Sequence, residues 1–376
     1  MFKLQSQVVT SFGTVLTDDN ELDAEYVLEV DHSCTAGSSS SSGATWAASV
    51  SDKTFRLYNM LPSGLCAGGT VKNSTNIQVL KFSPVSPTTL YTAAVDGSIK
   101  LWDIRLPLSA PAVDIHVLST EELLSLDISM NDSLLAAAAG NSLNFYDIRS
   151  GSNRSLGQYS DCHSDIITNV RFNKYRPSLV TTVGEDGLVC SYDTSTAANS
   201  EAVVSILNAE CPIRNFFFFG DKSEGICCLS SVETLTCWHF PSAQRLCNYS
   251  DIRSVFEIDY LVDGWYNYSS DSLYVLGGKY DGTGRVMSVS PAAVTALCDL
   301  PSGHGAGIRC SKYQPPSSDR GGILITGAED ARLSVWNENV SGDVSSPTSL
   351  DSATSHRSAL VAKSQSKARS ADKNPY

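Results

Sequence analysis

The chain has 376 residues, of which 42% are apolar and 18% charged, with a formal net charge of −13. The apolar fraction suffices for a large core, whereas the acidic balance opposes binding to a nucleic-acid phosphate backbone. The sequence contains no run of about 18 apolar residues, which a membrane span would need. Its first residues also lack the apolar stretch of a signal peptide. We therefore expect an intracellular protein, cytoplasmic, nuclear or both, that contacts neither membranes nor nucleic acid directly.

Strand patterns begin at the N-terminus and recur along most of the chain. "KLQSQVVTSFG", Lys3 to Gly13, alternates apolar and polar residues like a strand, and the serine-rich residues 33–43 predict a mobile loop. From Trp46 to Trp336 one phrase then recurs: small residues, a tight turn, and an alternating strand that ends in an aromatic and a polar residue. Its clearest copy is "LYTAAVDGSIKLWDIR", Leu90 to Arg105.

Seven copies of this phrase imply a repeat protein. The aromatic anchors lie about 44 to 47 residues apart, with one double interval in which Val289 replaces the aromatic residue. These anchors are Tyr58, Trp102, Tyr146, Tyr192, Trp238 and Trp336. A period near 40 to 45 residues, with four short strands per unit, is typical of a β-propeller blade. We predict an all-β fold with one propeller domain over residues 1–339, followed by a disordered, Ser-rich, basic tail over residues 340–376.

The copies resemble the repeats of the WD40 family from about Tyr26 to Asn337. The resemblance implies a ring of seven blades, closed by the N-terminal strand as the outermost strand of blade seven. It also implies a buried hydrogen-bond chain of His, Ser or Thr, a turn Asp and Trp within a complete blade. Residues that match this chain are His304, Thr326, Asp330 and Trp336 in blade seven, His163, Thr182 and Asp186 in blade four, and Asp52 and Asp96 at the turn position alone. Tyr192 replaces Trp in blade four, so we do not expect an indole N–H there.

The His and Asp pairs of these chains could also be read as catalytic groups. We interpret them as structural, because buried polar groups need partners and the set recurs with the repeat. The sequence shows no nucleophile elbow, no phosphate-binding loop and no paired Cys or His ligands. We therefore expect a protein that is not an enzyme and uses neither a metal ion nor a cofactor, with its cysteines as reduced structural thiols.

Two segments in blades two and three suggest a specific partner. Leu90 to Arg105 and Leu134 to Arg149 resemble the sixteen-residue box of WD40 substrate receptors for cullin-4 ubiquitin ligases. The resemblance implies that the arginine ending each box faces the propeller adaptor of the ligase. The first copy departs from the box at Tyr91, and the second has Gly140 in place of an acid and Tyr146 in place of Trp. The candidate partner-binding residues are Trp102, Asp103, Arg105, Asp147 and Arg149.

Two non-catalytic functions remain open for a propeller that we expect to be monomeric within a complex. The first is a substrate receptor of a cullin-4 ligase, in which Arg105 and Arg149 present planar forks to the adaptor. The second is a scaffold subunit of another intracellular complex, such as a ribosome-assembly or chromatin particle, in which these residues only finish strands. The receptor hypothesis weakens if the Arg105 guanidinium folds back onto acids of its own blade.

Overall fold

The alternating segments of the sequence form strands throughout the structure. The computed structural model describes residues 4–11, 15–16, 22–23, 25–33, 44–61, 64–117, 121–149, 154–196, 201–301, 303–316, 321–338 and 349–351. Seven antiparallel sheets follow one another along the chain, and their first strands all line one central channel. The protein is therefore a seven-bladed β-propeller, as the repeat period predicted.

The strands have the following bounds. Before blade one lie β1 (Leu4–Ser11), β2 (Val15–Leu16) and β3 (Leu22–Asp23). Blade one is β4 (Val27–His32), β5 (Thr45–Val50), β6 (Thr54–Leu61) and β7 (Gly64–Lys72). Blade two is β8 (Ile77–Phe82), β9 (Thr89–Ala94), β10 (Ser98–Asp103) and β11 (Val113–His116). Blade three is β12 (Leu123–Ile128), β13 (Leu134–Ala139), β14 (Ser142–Asp147) and β15 (Arg154–Tyr159). Blade four is β16 (Ile167–Phe172), β17 (Leu179–Gly184), β18 (Leu188–Asp193) and β19 (Val203–Asn208).

The remaining blades complete the ring. Blade five is β20 (Ile213–Phe219), β21 (Gly225–Ser230), β22 (Leu235–His239) and β23 (Gln244–Tyr249). Blade six is β24 (Tyr260–Asn267), β25 (Ser272–Gly278), β26 (Gly284–Val289), β27 (Ala293–Leu300) and, from the C-terminal region, β31 (Ser349–Asp351). Blade seven is β28 (Ile308–Gln314), β29 (Ile323–Ala328), β30 (Arg332–Glu338) and β1. A 3-10 helix (Phe240–Ser242) and α1 (Ile252–Phe256) occur near the end of blade five, and no helix in the described ranges could cross a membrane.

The N-terminal strand closes the ring. Strand β1 pairs antiparallel with β30, with Leu4 opposite Glu338 and Ser11 opposite Arg332. The sheet order β1-β30-β29-β28 makes β1 the outermost strand of blade seven. This confirms the predicted closure, which pairs the start of the chain with the last repeat and covers the outer edge of β30.

The serine-rich loop and the tail fall largely outside the described residues. The tail predicted to be disordered, residues 340–376, is described only at Ser349–Asp351, which pair with β27 so that Leu350 lies opposite Val294. These three residues add to the outer edge of β27, and the rest of the predicted tail lies outside the described residues. Of the predicted loop, residues 33–43, only Ser33 is described, and its hydroxyl accepts a hydrogen bond from the Thr45 N–H at 3.0 Å.

Apolar side chains pack between neighbouring blades. Each of seven clusters of buried residues joins two successive blades, including the pair formed by blades seven and one. In blade five, Phe216 packs toward blade four and Phe217 toward blade six, because adjacent strand residues face opposite sides. Cys227 and Cys228 divide in the same way, and each described cysteine is a free thiol.

The loops of the blades divide between two faces of the ring, because the strands of each blade alternate in direction. The face that carries the connections between first and second strands, and between third and fourth strands, is called the loop face below. The opposite face carries the tight turns between second and third strands and the links between blades, and is called the turn face.

Candidate interaction surfaces

Blade seven contains a buried chain of hydrogen bonds. The Trp336 indole N–H donates to Thr326 Oγ1 at 2.9 Å, and Thr326 Oγ1 lies 2.7 Å from His304 Nε2. On the other side of the imidazole, His304 Nδ1 lies 3.3 Å from Asp330 Oδ1, and the Gly305 N–H donates to Asp330 Oδ2 at 2.7 Å. Burial alone would raise the pKa of Asp330, but the hydrogen bonds from His304 and Gly305 outweigh it and lower that pKa. The chain links the second strand, the third strand and the turns of the blade.

Blade four contains the same chain with one substitution. His163 Nε2 lies 2.8 Å from Thr182 Oγ1, and His163 Nδ1 lies 3.1 Å from both carboxylate oxygens of Asp186. The buried hydroxyl of Tyr192 contacts Thr182 where blade seven has the indole N–H. Burial lowers the pKa of His163, which keeps the imidazole neutral.

Asp52 and Asp96 both accept hydrogen bonds from the residues of their own turns. Asp96 Oδ1 accepts hydrogen bonds from the Ser98 N–H at 3.0 Å and the Ser98 hydroxyl at 2.6 Å. Asp52 accepts from the Thr54 N–H at 2.9 Å and pairs with Arg56 at 2.9 Å. Neither carboxylate is hydrogen-bonded to a histidine among the described residues, although in blade two the Ser74 hydroxyl donates to Asp96 Oδ2 at 3.4 Å.

The four polar sets hold strands and turns together and offer little space to a substrate. His163 and His304 are both buried, with side-chain exposures of 0%. Within the described ranges, no group of three or more His, Cys, Asp and Glu side chains is arranged to hold a metal ion. The chemistry that these sets can perform is hydrogen bonding inside the fold.

The arginines of the two boxes lie in equivalent places on the loop face. Arg105 Nε and Nη2 donate to Asp103 at 2.9 and 2.6 Å, and Arg149 donates to Asp147 at 3.0 and 2.8 Å. These hydrogen bonds from Arg105 lower the pKa of the Asp103 carboxyl to about 2. The arginine side chains are nevertheless 69% and 68% exposed. Each guanidinium therefore folds back onto an acid of its own blade, which was the outcome expected to weaken the receptor hypothesis.

Trp102 does not share this exposure. It is 5% exposed, packs in the cluster between blades one and two, and donates its indole N–H to Thr92 Oγ1 at 3.0 Å. A side chain enclosed by two blades holds the strands of blade two and offers little surface to a partner, which disfavours the expected contact role.

Exposed apolar side chains accompany the arginines. Leu61, Val85 and Leu106 are 45%, 53% and 59% exposed, and all three lie on the loop face of blades one and two. We call these three residues, with Arg105 and Arg149, the Leu106 patch. The large exposed apolar residues of the turn face are instead spread over blades one, four, five and six; they are Tyr26, Ile166, Val232 and Tyr280.

A ring of side chains that the sequence analysis missed lines the central channel. Each inner strand has a buried apolar residue at its start, such as Val27 or Ile77, or at its second position, as Leu261 in β24, and contributes the residue four positions later. In blade order these residues are Asp31, Lys81, Asp127, Arg171, Phe217, Trp265 and Lys312. All seven line a cavity of about 540 Å³ that opens on the loop face. We call them the channel ring; aligning the seven inner strands would have revealed its alternating charges.

The acids of the channel ring also hold neighbouring blades together. Asp31 Oδ1 lies 2.8 Å from Lys312 Nζ of blade seven, and Asp31 Oδ2 accepts the Phe82 N–H of blade two at 2.7 Å. Asp127 Oδ2 accepts the Phe172 N–H of blade four at 2.7 Å. These bonds satisfy peptide groups at the free inner edge of the following sheet.

Fold and buried polar chains define the class of protein: a WD40-type β-propeller. The family model "WD domain, G-beta repeat" matches residues 69–103. The chain is 30% identical over 261 residues to the WD repeat-containing protein 89 homolog of Dictyostelium discoideum, covering 67% of this chain and 69% of that protein. It is 27% identical over 309 residues to the WD repeat-containing protein GTS1 of Arabidopsis thaliana, covering 77% of each. The chain belongs to the WD40-repeat family.

A more distant relative is named as part of an assembly. The Histone acetyltransferase type B subunit 2 of Kluyveromyces lactis is 23% identical over 158 residues, which is 41% of this chain and 38% of that protein. The WD40 propeller fold of this chain itself indicates a protein that interacts with other proteins.

Proposed function

We propose that this protein is a non-catalytic scaffold subunit of an intracellular complex, in the cytoplasm, the nucleus or both, and that it holds a protein partner on the Leu106 patch. The observation that carries the proposal is that three exposed apolar side chains and two exposed arginines lie on the loop face of three adjacent blades. Patches of this composition are typical of protein interfaces, where apolar contacts and arginine are enriched.

The energetics of the patch favour a partner that covers it. Fully burying a leucine or valine side chain contributes about 1.5 to 3 kcal/mol, and Leu106 and Val85 are each more than half exposed. The Asp103 and Asp147 carboxylates already neutralise Arg105 and Arg149, so a partner can cover these pairs without burying an uncompensated charge. A partner with an apolar centre and a polar rim would fit.

A photo-crosslinking amino acid at Leu106 tests the proposal. We expect the tagged full-length protein, expressed in its own cells, to form a defined crosslinked species from Leu106 and none from Tyr280, which is 74% exposed on the turn face. With the crosslinker kept at Leu106, the Leu61→Ser and Val85→Ser double variant should recover roughly fivefold less of the crosslinked partner, whereas Tyr280→Ser should recover as much as the wild type. Crosslinking from Tyr280 alone would place the partner on the other face and overturn the proposal.

The second candidate is a substrate receptor of a cullin-4 ligase. It is favoured by one observation: Arg105 and Arg149 occupy equivalent positions in adjacent blades with nearly equal exposure. It is opposed by the pairing of each guanidinium with Asp103 or Asp147, because the adaptor must accept these pairs or break them.

Binding of the purified ligase adaptor separates the two candidates. Under the receptor hypothesis, wild type binds the adaptor and both Arg105→Ala and Arg149→Ala lose it. Arg309→Ala is a matched control, because Arg309 is also exposed and paired, with Glu329 at 2.9 Å, but lies at the start of an inner strand near the turn face. If the wild-type protein does not bind the adaptor, the receptor hypothesis is wrong and the scaffold function in another complex is retained.

A further inference from the structure

We propose that the loop-face mouth of the central channel binds carboxylate side chains of an acidic peptide segment from a protein partner, through Lys81, Arg171 and Lys312 of the channel ring. The site is separate from the Leu106 patch, so a partner on that patch is not required for it. All three cations line the same cavity of about 540 Å³.

The cations of the ring have more hydrogen-bond donors than the protein uses. Lys81 makes no direct hydrogen bond or salt bridge with any described residue, although its positive charge acts to lower the pKa of the Glu29, Asp31 and Asp127 carboxyls nearby. Arg171 donates Nη2 to Asn215 Oδ1 at 3.0 Å, while its buried Nε has no partner among the described residues. Lys312 is paired with Asp31 alone, so the two remaining hydrogens of its ammonium group stay available. Unused cationic donors in one cavity call for an anionic acceptor.

The carboxylates of the channel are largely engaged. Asp31 is shared between Lys312 and the Phe82 N–H, and Asp127 accepts the Phe172 N–H. Asp263 Oδ1 accepts from Asn215 Nδ2 at 2.9 Å and from the Gly264 N–H at 2.8 Å. Burial raises the pKa of Glu29 to about 7, so this carboxyl carries only part of its charge near neutral pH. The cavity is lined by four carboxyls and by the cations Lys81, Arg171, Lys174 and Lys312, so the partial protonation of Glu29 leaves a small excess of positive charge there, although the whole chain carries −13.

The walls of the cavity favour a peptide over a free inorganic anion. Trp265 and Tyr313 stack with their ring centroids 5.2 Å apart, and Phe217 and Tyr268 line the same cavity. The Trp265 indole nitrogen is buried and has no partner among the described residues, which leaves an N–H for a peptide carbonyl. Aromatic walls around a few convergent polar groups are typical of sites that hold organic ligands. An extended acidic segment can use both the walls and the cations.

Fluorescence anisotropy with a labelled penta-glutamate peptide tests the site on the full-length protein. Lys81→Gln should weaken binding on the order of tenfold, the usual effect of losing a hydrogen bond to a charged group. Asp127→Asn should tighten binding, because the amide oxygen can still accept the Phe172 N–H while the negative charge is gone. Lys222→Gln, at an exposed position on the loop face of blade five, is the matched control and should bind like the wild type.

The other outcomes decide against the proposal. If Lys81→Gln binds the peptide with the affinity of the wild type, the ring does not bind the peptide. This conclusion requires that Lys81→Gln and Asp127→Asn be as heat-stable as the wild type. Preference for a penta-lysine peptide would show that the acids dominate the channel. Inorganic tripolyphosphate distinguishes the source of the anion: if it binds as tightly as the peptide with the same dependence on Lys81, the site takes a free oxyanion and the peptide assignment fails.

Discussion

Blade seven and blade five have the same four-stranded topology but different means of holding it. In blade seven, Trp336 is tied through Thr326 to His304 by hydrogen bonds. In blade five, Trp238 occupies the equivalent position, but its buried indole N–H has no partner among the described residues, and Val232 stands 53% exposed at the position of the turn acid. The repeat geometry therefore does not require the polar chain.

Blade five has neighbouring thiols and aromatic packing in place of the histidine chain, with Cys237 hydrogen-bonded to Cys227 and Cys247. Cys227, Cys237 and Cys247 are buried together in the cluster between blades five and six. The Arg245 guanidinium lies 4.7 Å from the centroid of the Trp238 ring, so the tryptophan is held through its face instead of its N–H. Thiol hydrogen bonds are weak, so soft thiols and an aromatic face tolerate small shifts, whereas the stronger bonds of the histidine chain fix one arrangement.

The largest difference between the two blades should follow from removing the histidine. His304→Ala leaves Asp330 and Thr326 without their shared partner in a buried site, and we expect the free energy of unfolding to fall by about 3 kcal/mol. His239→Ala in blade five is the control, because His239 is only partly buried and bonds to Ser242 at 2.7 Å near the surface. Urea unfolding measures both. A similar small loss in both variants would mean that the polar chain contributes little to blade seven.

A matched pair of tryptophan substitutions isolates the indole N–H. Trp336→Phe loses ring volume and the bond to Thr326, whereas Trp238→Phe loses similar volume but no hydrogen bond. We expect Trp336→Phe to destabilise the protein by about 1 kcal/mol more than Trp238→Phe in the same unfolding experiment. Equal losses would show that both tryptophans act through packing alone.

The comparison also explains which parts of the molecule the sequence predicts. The repeat period and the alternating strands carry the fold, because each blade must pack against two neighbours in the same way. The residues His304, Thr326, Asp330 and Trp336 could be identified because they belong to one local repeat. The fifth strand of blade six could not, because pairing of Ser349–Asp351 with β27 joins distant segments without a pattern of their own.

The channel ring and the two box arginines show which features could not be predicted from the sequence. Lys312 and Asp31 are separated by most of the chain, and their 2.8 Å contact exists only because the ring closes. For Arg105, the motif predicts the residue type and its face, but not that the guanidinium turns onto Asp103. The direction of an arginine side chain depends on the competition between an intramolecular partner and water. The same sequence is compatible with a paired and with a solvated guanidinium.

Lowering the pH should reduce the stability that the polar chain gives to blade four, whereas the packing of blade five should not respond to it. Burial lowers the pKa of His163 below its ordinary value, so the stability due to the neutral imidazole is present above the unfolded pKa and is lost as the pH falls toward the folded pKa. Between pH 7.5 and 5.5 we expect this residue to cost about 1 kcal/mol of unfolding free energy. In blade five, burial moves the pKa of Cys227 and Cys228 upward, away from this range.

The measurement is the difference in unfolding free energy between wild type and His163→Gln at the two pH values. Glutamine does not titrate, so the difference removes every other titrating group, including Glu29, whose raised pKa acts in the opposite direction over the same range. The unfolding free energy of the wild type minus that of His163→Gln should fall by about 1 kcal/mol between pH 7.5 and 5.5. An advantage that stays constant would mean that His163 is protonated as readily in the fold as in the unfolded chain, and that its bond to Asp186 offsets burial.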